Sequence, residues 1–170
     1  IADARNKYRI AATNIKKLDV LEVLLERHKT DQVLVIGQYL EQLALIAERL
    51  QAPVITGQTP QAQRDVLYEA FRKREIPVLV VSKVANFAVD LPDANVAIQI
   101  SGTFGSRQEE AQRLGRILRP GSGREAHFYS VVTRNSRELE FAHNRQRFLA
   151  EQGYAYAIEE WDEKNGLQPA

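Results

Sequence analysis

Val33-Leu34-Val35-Ile36-Gly37 and, further along, Val78-Leu79-Val80-Val81-Ser82 decide the fold class. Each is a continuous apolar run rich in β-branched residues, too short for a helix and closed by a small residue. Such runs read as strands buried on both faces. The segments around them have a different period. Asn14 to His28 places Ile15, Leu18, Leu21, Val23, Leu24 and Leu25 mostly three and four residues apart, which predicts a helix with one buried face. Leu40, Leu43, Ala44, Ala47 and Leu50 repeat that spacing after the first strand. A short strand over Pro53 to Thr56, a turn holding Gly57 and Pro60, and a helix from about Gln61 to Arg74 burying Leu67, Ala70 and Phe71 lead to the second run. Beyond it come a strand over Val96 to Ile100, a helix over about Ser106 to Leu118, a strand over about Ala126 to Val132 and a long helix over about Arg137 to Gln152.

Strands separated by helices pair in parallel, because a parallel connection needs a crossover of a dozen or so residues. Right-handed crossovers then give an α/β fold: a doubly wound, mainly parallel sheet with helices on both faces. Ligands of such sheets bind beyond the carboxyl ends of the strands. The loops to watch are Gly37-Gln38-Tyr39, Thr56-Gly57-Gln58-Thr59, Ser82-Lys83 and Ser101-Gly102-Thr103. The organisation expected is a lead-in at residues 1–13, one domain at 14–160 and a polar tail at 161–170.

Composition narrows the function. The chain has 170 residues, enough for one apolar core without staples. No apolar run approaches the roughly 20 residues of a membrane span, so no membrane partner is expected. There is no cysteine, and His28, His127 and His143 are scattered along the chain, so no structural metal is expected. Lys+Arg 23 against Asp+Glu 22 leaves a formal +1, so any nucleic-acid contact must be local. The chain opens at Ile1 and contains no methionine, which reads as a piece of a longer protein.

The sharpest local signal is Gln112-Arg113-Leu114-Gly115-Arg116-Ile117-Leu118-Arg119. On a helix Gln112, Arg116 and Arg119 leave from one face, and Gly115 clears bulk beside them. Two guanidinium groups on a rigid element suit the neutralisation of a transferring phosphoryl group; a solvated arginine face is the plain alternative.

This stretch resembles motif VI of superfamily 2 helicases, in which Gln112, Gly115, Arg116 and Arg119 occupy the matching positions. Ser82 to Pro92, ending Asp90-Leu91-Pro92, resembles motif V. Val33 to Tyr39 resembles motif IV, and Thr56-Gly57-Gln58-Thr59-Pro60 with Arg64 and Phe71 resembles the motif after it. The closest likeness is to the XPB family, in Ser82-Lys83-Val84, in Asp90 to Asn95 leading to Ile98-Gln99-Ile100-Ser101, and in Arg145 to Leu149 with Gln152-Gly153-Tyr154. Ala88 stands where glycine is usual and Ser82 where threonine is common; the short Pro120-Gly121-Ser122-Gly123 loop looks prokaryotic.

The resemblance implies a RecA-like second motor domain of an ATP-dependent 3′ to 5′ DNA helicase acting in repair, cytoplasmic in a prokaryote. It implies arginine fingers at Arg116 and Arg119, with Gln112 beside them, and nucleotide sensing through Ala88, Asp90 and Gly115. DNA-backbone contacts would fall to Ser82, Lys83, Thr56, Gly57, Gln38 and Arg64; Tyr39, Phe104 and Trp161 could stack on bases, but for Trp161 the favoured reading is packing of the carboxyl-terminal segment or a partner. ATP and Mg²⁺ would be held mainly by a first motor domain, since this chain has no G-x-x-x-x-G-K-[ST] loop and should hydrolyse nothing alone. Implied partners are single-stranded or forked DNA, the first RecA-like domain and a nuclease. Two other readings stay open: a helicase-fold module that only docks proteins, and a free-standing domain that binds a small ligand at its switch point.

Overall fold

A computed structural model describes residues 2–82, 94–102, 125–134, 136–151, 155 and 157–170. The helix expected at Ser106 to Leu118 falls outside these residues, as do Lys83, Ala88, Asp90, Phe104, Gln112, Gly115, Arg116 and Arg119.

The elements in order are α1 (Ala2–Ala12), α2 (Lys16–Arg27), β1 (Val33–Gly37), α3 (Leu40–Leu50), β2 (Val54–Ile55), α4 (Gln61–Arg72), β3 (Val78–Ser82), β4 (Val96–Gln99), β5 (His127–Ser130), α5 (Arg137–Glu151), β6 (Glu159–Asp162) and β7 (Gly166–Pro169). Five strands form one sheet in the order β2-β3-β1-β4-β5, with every pairing parallel. The apolar run of β1 takes the centre and is buried throughout.

Side chains alternate across the sheet and divide the interior in two. Val33 and Val35 of β1 join Leu18, Leu21 and Leu24 of α2 and Leu43 and Ile46 of α3 on one face. Leu34 and Ile36 join Tyr68 and Phe71 of α4 on the other. Opposite placement of α3 and α4 is the doubly wound arrangement that right-handed crossovers dictate.

Two regions differ from the sequence reading. The lead-in is helical: α1 packs against α5, with Tyr8 edge-on to Phe141. The polar tail forms most of an antiparallel hairpin, β6 with β7, and the boundary drawn at 160/161 falls inside β6. Trp161 and Leu167, facing one another in its register, pack on the α2 side of the core. Their alternation with charged neighbours hides a half-buried strand pair in a stretch of polar composition.

The histidines scattered in sequence do not stay apart. At the amino-terminal rim of the sheet the rings of His28 and His127 come to 5.0 Å. His28 Nδ1 is hydrogen-bonded to the Asp31 carboxylate at 2.8 Å and its Nε2 to the Tyr129 hydroxyl at 2.6 Å. Asn95 donates to the other Asp31 oxygen at 2.8 Å. This rim is closed by side-chain hydrogen bonds, which leaves the opposite rim as the place for a ligand.

Candidate functional site

Strand register places the expected loops side by side at the carboxyl rim. Gly37 stands opposite Ser82, Ile55 opposite Val81, and Ile36 opposite Gln99. Thr56, Ser82, Gln38 and Ser101 therefore leave the sheet at nearly one level, along a line running from β2 to β4. Gly37 permits this closeness: a Cβ there would stand 2.7 Å from Leu43 Cδ2 and 3.0 Å from Ser101 Oγ.

The loop after β2 is shaped by its own side chains. Thr59 Oγ1 accepts the Thr56 N–H at 2.9 Å, and Thr56 Oγ1 accepts the Gln58 N–H at 3.2 Å. Arg64, one turn into α4, donates from Nε to the Thr59 carbonyl at 2.9 Å and from Nη2 to the Thr56 and Gly57 carbonyls, each at 3.0 Å. Its planar fork suits several acceptors at once. Three carbonyls are thus drawn toward one cation, and the Gly57 N–H is left with no partner among the described residues. Next to it, α4 begins after Pro60 with no side-chain cap and no acid in its first turn. Its leading N–H groups, without intrahelical acceptors, add positive potential to this rim.

At the centre, Gln38 is exposed, and its N–H donates to Ser101 Oγ at 2.9 Å. Gly102 has φ +88°, the left-handed region, and lies so close under Gln38 that a Cβ on it would stand 2.9 Å from the Gln38 Cβ. Gln99 donates from its side-chain amide to the Gly102 carbonyl. Arg9 lies over the Tyr39 ring at 5.8 Å, and burial raises the Tyr39 hydroxyl above its ordinary pKa against the opposing pull of Arg9.

Of the expected contact residues, Thr56, Gly57, Gln38 and Ser82 share this rim, and Ser82 is 2% exposed. Arg64 lies behind the loop, committed to its carbonyls. Trp161 packs on the core instead of facing the rim. Among the described residues no three His, Asp or Glu side chains converge as a metal site, so they provide no cage for Mg²⁺ and no chemical step is derived through one.

Sequence reasoning missed the support beneath Ser101. Lys17 of α2 donates to the Ile100 carbonyl at 2.7 Å and to Glu138 Oε2 at 2.8 Å, and both side chains are buried. The available signal was a lysine in register with the buried positions Leu21 and Leu24, four and seven residues on.

Solved structures with this fold include the C-terminal domain of the DEAD-box protein Dbp5, with TM-score 0.69 and 18% identity, covering 81% of this chain and 81% of that one. A DEAD box protein from Methanococcus jannaschii gives TM-score 0.63 at 22% identity, covering 79% of this chain and 37% of that one. These likenesses establish the RecA-like fold alone. In sequence, the chain is 55% identical over 169 residues to the DNA 3'-5' helicase XPB of Kineococcus radiotolerans, covering 99% of this chain and 30% of that protein. It is also 55% identical over 166 residues to the DNA 3'-5' helicase XPB of Mycobacterium tuberculosis, covering 97% of this chain and 30% of that protein. The chain therefore spans under a third of the length of these relatives. Residues 1–166 match the ERCC3/RAD25/XPB C-terminal helicase family, and the chain belongs to that family.

Proposed function

We propose that this domain is the second motor half of an ATP-dependent 3′ to 5′ DNA helicase or translocase, and that its carboxyl rim grips the backbone of a DNA strand. The alignment of Thr56-Gly57, Ser82, Gln38 and Ser101 along one edge carries the reading: Gly57 and Gln38 present exposed polar groups there, while Ser82 and Ser101 are buried beneath them and Ser101 takes the Gln38 N–H. Such groups hold phosphates without reading bases, which suits a motor that tracks any sequence. The loop after β2 contributes most, since its carbonyls are turned back to Arg64 and its Gly57 N–H has no partner among the described residues. Lys83 would add a charge at the end of β3.

Chemistry is assigned to the segment between Gly102 and Glu125. Arg116 and Arg119 supply positive charge to the transferring phosphoryl group, assisted by Gln112, and Gly115, Asp90 and Ala88 report nucleotide state. ATP and Mg²⁺ are held mainly by a first motor domain, whose closing and reopening on the nucleotide shifts the grip along the strand. The names of the bacterial relatives favour DNA, and a cytoplasmic role in repair, with a nuclease as partner, belongs to the same proposal.

DNA-stimulated ATP hydrolysis by the full-length protein tests this reading. Arg116→Ala and Arg119→Ala should each lower the rate by roughly 10³-fold or more while the protein still binds DNA. Unchanged hydrolysis in both variants would remove the arginine-finger assignment and favour a module that only docks partners.

A further inference from the structure

Lys17 occupies a position where the pattern of α2 calls for an apolar side chain. Its ammonium is 4% exposed and the Glu138 carboxylate 6%. Burial pulls the Lys17 pKa below its ordinary value, and the Glu138 charge opposes that pull. A buried ion pair seldom stabilises a fold more than well-packed apolar residues of the same volume, so what this one holds in place is the more informative property.

It holds the exit of the central sheet. The Lys17 ammonium donates to the carbonyl of Ile100, the residue just past β4. Glu138 reaches the Lys17 ammonium from α5, and its second oxygen accepts the Thr133 N–H at 2.8 Å. Thr133 in turn donates from Oγ1 to the Ala11 carbonyl at 2.6 Å, at the end of α1. Three helices are thus linked in one chain of hydrogen bonds that ends, through Lys17, on the Ile100 carbonyl. The two residues that follow it are those pressed on the Gln38 loop: Ser101 accepts the Gln38 N–H, and Gly102 lies against the Gln38 side chain.

We propose that Lys17 and Glu138 are positioning residues, which fix the Ile100-Ser101-Gly102 turn against the Gln38 loop and thereby set the nucleic-acid grip of the rim without touching the strand. The inference rests on the rim being the DNA contact. It predicts that the pair acts on DNA affinity through Ser101, separately from its effect on folding.

The test uses the full-length protein and a single-stranded oligonucleotide, reading the maximal DNA-stimulated ATPase rate, the DNA concentration at half-stimulation and the melting temperature. Lys17→Met leaves Glu138 buried without its cation and should destabilise; the double variant Lys17→Met/Glu138→Leu removes both charges and should melt near the wild type. In that double variant the half-stimulating DNA concentration should rise about tenfold while the maximal rate falls less than twofold, a split expected when binding alone is misaligned. Ser101→Ala should produce the same rise, and adding it to the double variant should produce little more, because both changes cut one chain of contacts. If the double variant melts normally and keeps wild-type DNA dependence, the pair is purely structural and the inference fails; should the double variant not fold, additive effects of Ser101→Ala and Glu138→Gln would overturn it equally. Gly57→Asp is the separate control: if it leaves DNA dependence unchanged, the rim reading itself is wrong whatever Lys17 does.

Discussion

In the loop after β2 a single arginine sets the backbone of its neighbours. Arg64 donates to three carbonyls, and losing it leaves Thr56, Gly57 and Thr59 to water or to each other. Arg64→Ala should cost about 1.5–3 kcal/mol, the range for hydrogen bonds to a charged group, read from the urea midpoint of this chain. Arg64→Lys should recover less than half of that loss, because one ammonium cannot span three acceptors in a fixed plane. Full recovery by lysine would show that charge matters there and geometry does not. Residues of this kind were half legible in the sequence. Thr56, Gly57 and Gln38 stood out because small and polar residues directly after an apolar strand have few other reasons to be there. Arg64 drew notice for its charge as a candidate phosphate contact; its hydrogen bonds to three loop carbonyls could not be read from the sequence, which reveals a charge but not its partners. Lys17 escaped because a lysine among leucines on a helix reads as a solvated edge until a partner 121 residues away is known.

Among the elements, the β6–β7 hairpin is held by two inward side chains and a set of outer ion pairs. Trp161 and Leu167 pack inward, yet the Trp161 Nε1 is buried with no hydrogen-bond partner among the described residues, which weakens that anchorage. Around it run three exposed or half-exposed ion pairs: Lys16 with Glu163 at 2.8 Å, Arg27 with Glu159 at 2.9 Å and Arg134 with Glu160 at 3.2 Å. In each the carboxylate belongs to the hairpin and the cation to the body of the domain. The hydrogen bonds from Arg27 hold the Glu159 carboxyl below its ordinary pKa of 4.5, outweighing the opposing effect of burial. A carboxyl lowered in the folded state stabilises fully above its unfolded pKa and loses that contribution as pH falls through the lowered value. Solvent screening keeps such a contribution small, about 1 kcal/mol or less. Acid titration of this chain should therefore release the hairpin before the sheet unfolds. Trp161, the sole tryptophan, should shift its emission to the red at a pH where far-ultraviolet dichroism is unchanged, and Glu159→Gln should abolish that early step. Coincident changes in both signals would mean that hairpin and sheet unfold as one unit. Sequence patterning missed the hairpin because two inward residues in ten, set among acids, amides and a lysine, leave too little alternation to read.

For the molecule as a whole, the apolar runs of β1 and β3 carried nearly all the topological information: two doubly buried strands with helices between them leave few arrangements other than a parallel sheet covered on both sides. The sheet then divides the interior into two cores that do not touch. Ile46 lies in one and Ile36 in the other, both fully buried. Ile46→Val and Ile36→Val should each cost about 0.5–1.5 kcal/mol. Their double variant should equal the sum within about 0.5 kcal/mol, since the two sites share no partner. A larger discrepancy in urea denaturation would show that strain passes through the sheet. The uniform direction of the strands has a mechanical consequence. β1 is joined to β3 through five aligned pairs and to β4 through four, with hydrogen bonds evenly spaced along each ladder. A tug on the carboxyl rim directed along the strands loads every rung of both ladders together in shear, whereas a sideways peel would break them one after another. If the rim grips a strand as proposed, the sheet would take that load in its strongest direction.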